Sequence, residues 1–256
     1  MENLDYLLFM QSLVQESNMV AMQYFNSDVK AEYKQDASPV TIADKRIEEL
    51  LRERITKNFP NHAIIGEEYE NSQTSSEYCW VIDPIDGTKN FAAGIPCFAT
   101  LIALCHNGKP ILGCISAPAM NKIWTGGVDN EARCNGVPIK TRQCENLKDA
   151  WFSYTAPSIF TPQQLEKIKK IEKQTKVNIY GNDAISYALV AEGRLDLVVE
   201  DKLKPWDFAA LIPVITAAGG YVSDFNGKDI DLSGDGSIIV AASKNLHQSA
   251  LEIMKG

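Results

Sequence analysis

Two aspartates close an apolar run in the segment 80–88, which reads Trp-Val-Ile-Asp-Pro-Ile-Asp-Gly-Thr. Asp83 follows the run directly, and Asp86 comes three residues later, beyond a turn expected at Pro84, so the two carboxylates can converge on one point. Converging carboxylates suit Mg²⁺, and backbone N–H groups in the glycine turn that follows could hold a phosphate beside the ion. The alternative interpretation is a pair of ordinary turns, Asp-Pro and Asp-Gly, without a ligand.

Three further acids stand where predicted elements begin or end. Glu67 follows the apolar residues 63–65, Asp207 opens an apolar helix, and Asp44 lies three residues after Thr41 in a capping-box pattern. Each also has a simpler interpretation, as a solvated surface glutamate or as a helix cap. Clustered carboxylates repel one another unless a cation lies among them, so a site that combined these acids would depend on a metal.

The elements that must position these acids indicate a mixed α and β protein in layers, with two halves packed across a cleft. Helices are predicted over 4–25, after Thr41, from 161, over 183–192, over 206–218 with an irregularity at Pro213, and around Leu246, Leu251 and Met254. Strands are predicted around 63–65, 80–82, 98–105, 111–117, 123–125, 195–200 and 238–242.

Composition argues against several classes of protein. The chain of 256 residues has a formal net charge of −8, so nucleic acid is not expected as a partner. No apolar run reaches the roughly 20 residues of a membrane helix, and the acidic N-terminus lacks the basic start of a signal peptide, so a cytoplasmic location is expected. The six cysteines form no C-x-x-C pair, which argues against zinc; Cys97, Cys105 and Cys114 are expected to be buried reduced thiols.

Three motifs together resemble the inositol monophosphatase superfamily. They are Gly-Glu-Glu at 66–68, the segment 83–88, and Trp-Asp at 206–207 followed by Ala-Gly-Gly at 218–220. They stand in the family's order at suitable spacing, and the similarity runs from about Asp36 to the C-terminus. The histidinol-phosphate phosphatase branch is resembled more closely at 36–41, 100–104, 180–183 and 208–214.

The resemblance implies an α+β fold, a layered αβαβα sandwich of the inositol monophosphatase / sugar phosphatase type. It implies a single phosphatase domain over 1–256, with most metal ligands in about 1–145 and with Asp207 and the substrate side in about 146–256. A homodimer is expected on the same ground.

The resemblance also implies a ligand set for two or three Mg²⁺ ions. Glu67, Asp83 and the backbone carbonyl of Ile85 would hold the first ion, and Asp83, Asp86 and Asp207 would hold the second. A third, weaker ion would be anchored through Glu67 and water, which gives Glu67 a catalytic part as well.

Catalytic and substrate roles follow from the same resemblance. Thr88 and Asp44 would orient and deprotonate the attacking water, while the N–H groups of Gly87 and Thr88 would bind phosphate. Asp183 and Glu200 match substrate-side acids, with a helix cap and a solvated strand end as their simpler interpretations.

The implied activity is hydrolysis of a small phosphate monoester, with histidinol phosphate as the expected substrate. Asn182, Ala184 and Ile185 stand where the histidinol-phosphate branch usually has cysteines and a tyrosine, and Trp206 is typical of inositol phosphatases. Inositol-1-phosphate therefore stays an alternative substrate. A regulatory role in RNA processing or transcription is the alternative that involves no enzyme.

Overall fold

Apolar runs separated by turn residues build two β-sheets. The computed structural model describes residues 3–27, 32–33, 39–72, 76–128 and 131–256. The first large sheet has the strand order β3-β4-β5-β6-β7-β8-β9, in which only β3 and β4 are parallel. Its strands are β3 (Ala63–Gly66), β4 (Tyr78–Asp86), β5 (Ala99–His106), β6 (Lys109–Ala117), β7 (Lys122–Val128), β8 (Glu131–Cys134) and β9 (Val137–Ile139).

The second large sheet is mixed and has the order β11-β10-β12-β14-β13. Its strands are β10 (Trp151–Tyr154), β11 (Val177–Tyr180), β12 (Leu197–Glu200), β13 (Tyr221–Ser223) and β14 (Ile238–Ala241). A separate pair, β1 (Glu32–Tyr33) and β2 (Pro39–Val40), is antiparallel.

Helices cover these sheets. Within the described residues they are α1 (Asn3–Phe25), α2 (Ile42–Asn58), α3 (Thr88–Ala92), α4 (Pro162–Gln174), α5 (Asp183–Ala191), α6 (Pro205–Phe208), α7 (Leu211–Ala217) and α8 (Lys244–Lys255). The long predicted helices appear where their caps place them, because Thr41 and Thr161 each form a capping box with the third helical residue.

Three apolar clusters separate five layers. One cluster joins α1 and α2 to the outer face of the seven-stranded sheet β3–β9. Another joins α4 and α8 to the outer face of the five-stranded sheet β10–β14. The largest cluster lies between the sheets, where α5, α6 and α7 pack against both inner faces. The order helix, sheet, helix, sheet, helix is the predicted αβαβα sandwich.

The helix predicted over 206–218 is wrong in one respect, because it is broken into α6 and α7. The break falls at Ala209 and Ala210, and Ala209 is four residues before Pro213. Proline lacks an N–H and its ring clashes with the carbonyl four residues earlier, so Pro213 acts at Ala209 rather than at its own position.

Two glycines let α7 and the residues before it lie directly on β6 and β7 of the seven-stranded sheet. A Cβ at Gly113 of β6 would stand 2.1 Å from the carbonyl oxygen of Ala210, and one at Gly126 of β7 would stand 2.6 Å from Cα of Val214. The backbones approach so closely only because both positions lack a side chain. This contact sets the height of Asp207 above the sheet edge.

The remaining expectations have mixed outcomes. Cys105 and Cys114 are fully buried as predicted, but Cys97 is only half-buried because it lies in the loop before β5. No helix among the described residues is long and apolar enough to cross a membrane. Of the stretch 36–41 that contributes to the family resemblance, Asp36, Ala37 and Ser38 lie outside the described residues.

Candidate active site

A bulge in β4 brings Asp83 and Asp86 to the same face. Residues three apart on a regular strand point to opposite sides of the sheet. Here Asp83 pairs with Leu101 and Asp86 pairs with Ala99, so three steps along β4 match two steps along β5. The extra residue restores both aspartates to one side, where their carboxylates can meet.

The turn expected at Pro84 is therefore wrong, since β4 continues through Pro84 to Asp86. Proline is tolerated in a strand at a bulge, where no ladder N–H is needed. The hydroxyl of Thr100 on β5 donates to the carbonyl oxygen of Pro84 at 2.8 Å. That hydrogen bond satisfies the carbonyl that the bulge removes from the ladder.

Asp83, Asp86 and Asp207 form a cluster with the chemistry of a metal site. One oxygen of each lies within 4.8 Å of the others. Asp83 is buried, and its Oδ1 has no hydrogen-bond partner in the described structure. A buried carboxylate oxygen without a partner is costly unless a cation takes it. The cluster of hard oxygen donors thus fits Mg²⁺.

Asp207 and Asp44 are each fixed by the start of a helix. Asp207 is the third residue of α6, and its Oδ2 accepts the backbone N–H of Lys204 at 2.7 Å. Asp44 is the third residue of α2, and its Oδ2 accepts from both N and Oγ1 of Thr41, at 2.8 and 2.5 Å. Lys204 is the N-cap of α6, so Asp207 acts as the third residue of a capping box and not as the cap itself. In both acids the hydrogen bonds to the helix start use Oδ2, so they do not exclude a chemical role for Oδ1.

Asp86 caps a helix from the opposite half of the chain. Its Oδ2 accepts the backbone N–H of Ala184, in the first turn of α5, at 2.8 Å. The N–H groups of a first helical turn have no partner within the helix, so this contact satisfies one of them. It also ties the large sheet to the helix layer that carries Asp183.

Asp44 contacts Thr88, the first residue of α3 after the turn at Gly87. The Oγ1 of Thr88 donates to the carbonyl oxygen of Ile85 at 2.9 Å and lies 3.4 Å from Oδ1 of Asp44. Asp44 is fully buried, and burial raises its pKa to about 6 against the hydrogen bonds from Thr41. A group with this pKa can accept a proton near neutral pH.

Like charges and burial act on the whole cluster. Burial first, then the charge of Glu67 and the other acids, raises the pKa of Asp83 well above its ordinary value. Burial raises the pKa of Asp207 to about 7, against the hydrogen bond from Lys204. The charge of Glu67, which also lines the cleft, contributes to the raised pKa values of Asp83, Asp207 and Asp44.

Two adjoining cavities of about 320 and 370 Å³ open beside the cluster. Both are lined by Lys89, Thr155 and Asp183. Asp183 has a φ of +44°, and its Oδ2 accepts from the side-chain amide of Asn90 at 3.0 Å. It is the first residue of α5 rather than the cap, so the helix-cap interpretation of Asp183 is wrong.

Glu200 is buried at the end of β12, so the interpretation as a solvated strand end is wrong. Its Oε1 accepts the backbone N–H and the hydroxyl of Thr155 at 2.7 and 2.5 Å, and its Oε2 accepts the hydroxyl of Tyr187 at 3.1 Å. Burial raises the pKa of Glu200 to about 7. Glu200 thus holds Thr155 in the wall of the cleft.

Comparison with known proteins agrees with this geometry. The chain matches the inositol monophosphatase family over residues 3–255. The chain belongs to the inositol monophosphatase family. It is similar to the chloroplastic bifunctional phosphatase IMPL2 of Arabidopsis thaliana, with 41% identity over 95% of this chain and 73% of the relative. It is also similar to the histidinol-phosphatase of Streptomyces coelicolor, with 34% identity over 97% of this chain and 96% of the relative.

An inositol monophosphatase structure from Zymomonas mobilis superposes with a TM-score of 0.91, at 34% identity and 98% coverage of both chains. The family resemblance and the αβαβα fold that the motifs predict are both confirmed. Membership makes the chain a phosphomonoesterase of a metal-dependent family, and the aspartate cluster supplies the corresponding acidic site.

Several residues that shape the inositol monophosphatase site were not found from the sequence. They are Glu48, Asn90, Thr100, Thr155 and Tyr187, and the hydrogen bonds that place them here join different elements of the fold. For Glu48 the sequence held one clue. It is an acid four residues after Asp44 and stands beside the apolar positions of α2, which is unusual for a solvent-facing glutamate.

Proposed function

We propose that the protein is a Mg²⁺-dependent phosphatase that hydrolyses histidinol phosphate to histidinol and phosphate. The observation that carries the chemistry is the buried, unpartnered oxygen of Asp83 among the carboxylates of Asp86 and Asp207. The substrate is supported by the similarity to a protein named histidinol-phosphatase and by the acids Asp183 and Glu200 around the second cavity.

In this proposal Glu67, Asp83, the carbonyl of Ile85, Asp86 and Asp207 hold two or three Mg²⁺ ions. When bound, Mg²⁺ would offset the repulsion within the cluster, lower the pKa of the attacking water and stabilise charge on the phosphate.

Thr88 and Asp44 would take the proton of the attacking water. The hydroxyl proton of Thr88, which is donated to the carbonyl oxygen of Ile85, would turn to Oδ1 of Asp44, 3.4 Å away, and pass to it as Oγ1 takes the proton of the water. The pKa of Asp44, raised by burial to about 6, keeps this carboxylate ionised and able to accept the proton near neutral pH.

The turn after Asp86 would hold the phosphate. Gly87 has a φ of +82°, and a Cβ there would lie 2.9 Å from the carbonyl oxygen of Cys97, so the turn requires glycine. Its N–H group and that of Thr88 stand at the start of α3, where donors have no partner within the helix.

The leaving group would occupy the side of the cleft lined by Asp183. Histidinol carries a primary ammonium, which pairs with a carboxylate more strongly than a neutral hydroxyl does. A hydrogen bond between charged groups contributes about 1.5–3 kcal/mol, whereas a neutral one contributes about 1 kcal/mol. Asp183 lines both cavities, whereas Glu200 has its oxygens engaged by Thr155 and Tyr187 and adds charge behind the wall.

Inositol-1-phosphate is the second candidate substrate. It is favoured by the similarity to the inositol monophosphatase of Zymomonas mobilis and by Trp206, which stands directly before Asp207. A polyol offers only hydroxyls, so it would not depend on the charge of Asp183.

Metal removal tests the proposed chemistry. Hydrolysis of p-nitrophenyl phosphate should vanish in a chelator and return with Mg²⁺, while Ca²⁺ should bind but support little turnover because its looser coordination misplaces water and phosphate. Full activity in the chelator would exclude the metal mechanism. Absence of phosphatase activity at any Mg²⁺ concentration would favour the regulatory alternative.

Asp183→Asn tests the substrate. We expect the KM for histidinol phosphate to rise at least about tenfold, since a lost ionic contact of about 1.4 kcal/mol or more has that effect. Hydrolysis of p-nitrophenyl phosphate, which has no ammonium, is the control and should barely change. Equal losses on both substrates, or a preference of the wild-type enzyme for inositol-1-phosphate, would replace histidinol phosphate by the inositol ester.

A further inference from the structure

The loop that carries Glu67 rests on a buried carboxylate of α2. Oε2 of Glu48 accepts the backbone N–H of Glu68 at 2.7 Å, and Oε1 accepts the backbone N–H of Tyr69 at 3.2 Å. The Glu48 side chain is fully buried. Two successive N–H groups directly after Glu67 are therefore held by one carboxylate.

The same carboxylate fixes the chain on the other side of Glu67. A Cβ at Gly66 would lie 2.2 Å from Oε1 of Glu48 and 2.6 Å from its Cδ, so a side chain at the end of β3 would displace the Glu48 carboxylate. Because Gly66 and Glu68 both touch Glu48, the backbone of Glu67 has little freedom to move toward α2 or along it.

Arg52 completes this arrangement. Its Nε donates to Oε1 of Glu48 at 2.7 Å, and its Nη2 donates to the carbonyl oxygen of Tyr69 at 3.1 Å. The Arg52 side chain is only 16% exposed, so the ion pair is largely removed from water. A buried carboxylate is tolerated when a close cation and further hydrogen bonds satisfy it, as they do here.

One face of α2 presents both this support and the proton acceptor. Asp44, Glu48 and Arg52 follow one another at intervals of four residues, which places them in one row along the helix. Asp44 stands at the cleft and Glu48 stands beneath the loop. A single rigid helix therefore sets the position of Glu67 relative to Asp44.

We propose that Glu48, paired with Arg52, is a positioning residue that holds Glu67 in the place where it binds Mg²⁺. This inference rests on the proposed metal-dependent function. Glutamine at position 48 would keep the length but have only one acceptor oxygen, so its NH₂ group would face either the N–H of Glu68 or the N–H of Tyr69 and the guanidinium of Arg52. Residues that hold a metal ligand in place typically contribute about 10–100-fold to metal affinity or activity.

The test is Glu48→Gln, measured by calorimetric titration of the metal-stripped protein with Mg²⁺ alone and by the Mg²⁺ dependence of p-nitrophenyl phosphate hydrolysis. We expect the Mg²⁺ concentration for half-saturation to rise about tenfold in both measurements. At saturating Mg²⁺, kcat should recover to within about threefold of wild type, because the Glu67 carboxylate itself is intact.

Asp196→Asn is the matched control. Asp196 is equally buried, accepts from Nε of Arg142 at 2.7 Å and from the backbone N–H of Trp151 at 2.6 Å, and directly precedes β12, whose far end is Glu200. It should lose stability without any change in Mg²⁺ half-saturation. If Glu48→Gln behaves like this control, with Mg²⁺ half-saturation within about twofold of wild type, Glu48 is only structural and the proposal is overturned.

If Glu48→Gln does not fold, two further variants test whether Glu48 holds Glu67 in place. Gly66→Ala would displace the Glu48 carboxylate by a steric clash, and Arg52→Met would remove the cation that pairs with it. Both variants should raise the Mg²⁺ concentration for half-saturation as Glu48→Gln does. Unchanged Mg²⁺ half-saturation in both variants would overturn the proposal. Wild-type activity that persists in a chelator would instead refute the metal-dependent function itself, so the two failures are distinguishable.

Discussion

Three acids of the candidate site, Asp44, Asp86 and Asp207, each stabilise the start of a helix. Asp44 and Asp207 give one oxygen to the N–H at the start of their own helix, and Asp86 gives one to the start of α5. Each of these hydrogen bonds uses Oδ2 of the carboxylate, and Oδ1 of Asp44 lies beside Oγ1 of Thr88. The sequence could predict these acids from motif and spacing, but it could not show which oxygen of each carboxylate the helix start occupies.

Asp207→Asn separates the two tasks. Asparagine keeps an acceptor oxygen for the N–H of Lys204, so at about pH 4, where the buried Asp207 carboxyl is protonated, the free energy of unfolding of the metal-free protein should change by no more than about 1 kcal/mol. The lost negative ligand should lower kcat by several orders of magnitude, and Asp83→Asn and Glu67→Gln should behave alike. Denaturant unfolding and steady-state kinetics give both values. Retention of more than about a tenth of wild-type kcat, or about 1.4 kcal/mol in barrier, would show that Asp207 is not an essential ligand.

At the scale of elements, the predictions succeeded where local signals decide the structure. The capping boxes at Thr41 and Thr161 start their helices as predicted, and Gly193, with a φ of +73°, follows the end of α5. The bulge after Asp83 was missed because Asp-Pro is typical of a turn, and only pairing with β5 keeps the chain extended. The break before α7 was misplaced because a proline acts four residues upstream.

The link between Asp86 and α5 gives a prediction at this scale. Asp86→Asn and Asp86→Ala both remove the charge, but only asparagine keeps an acceptor for the N–H of Ala184. The alanine variant should therefore be less stable than the asparagine variant by about 0.5–2 kcal/mol, the usual worth of a cap. Urea unfolding of the metal-free variants measures the difference. Equal stabilities would mean that the contact contributes nothing to holding α5.

At the scale of the whole molecule, the cleft exists because two sheets meet around a shared helix layer. The first half of the chain supplies Glu67, Asp83 and Asp86, while Asp207 arrives from the helix layer through the close contact of Gly113 with the chain after α6. Partners such as Asn90 and Asp183 are 93 positions apart in sequence. No local pattern encodes such a pair, which is why the cluster was predictable from motifs and its supporting contacts were not.

The same burial makes the metal-free protein sensitive to pH. Burial raises the pKa of Asp44 to about 6 and the pKa values of Asp207 and Glu200 to about 7, whereas the unfolded chain has carboxyl pKa values of about 4. The folded state therefore binds more protons between about pH 4 and pH 7, and the stability that these groups contribute at low pH is lost as the pH rises through their folded values.

The expected outcome is a loss of stability with rising pH that Mg²⁺ reverses. In chelator, wild type should lose stability relative to Asp207→Asn between about pH 5 and pH 8, by an amount on the order of 1–3 kcal/mol. Adding Mg²⁺ near neutral pH should stabilise wild type more than the variant, because the variant keeps the ligands of the first ion but lacks a charged ligand of the second. Urea unfolding across this range measures both effects. A difference between the two proteins that does not vary with pH would show that the Asp207 carboxylate is ionised in the metal-free fold without cost, and that burial in the cluster does not shape its proton affinity.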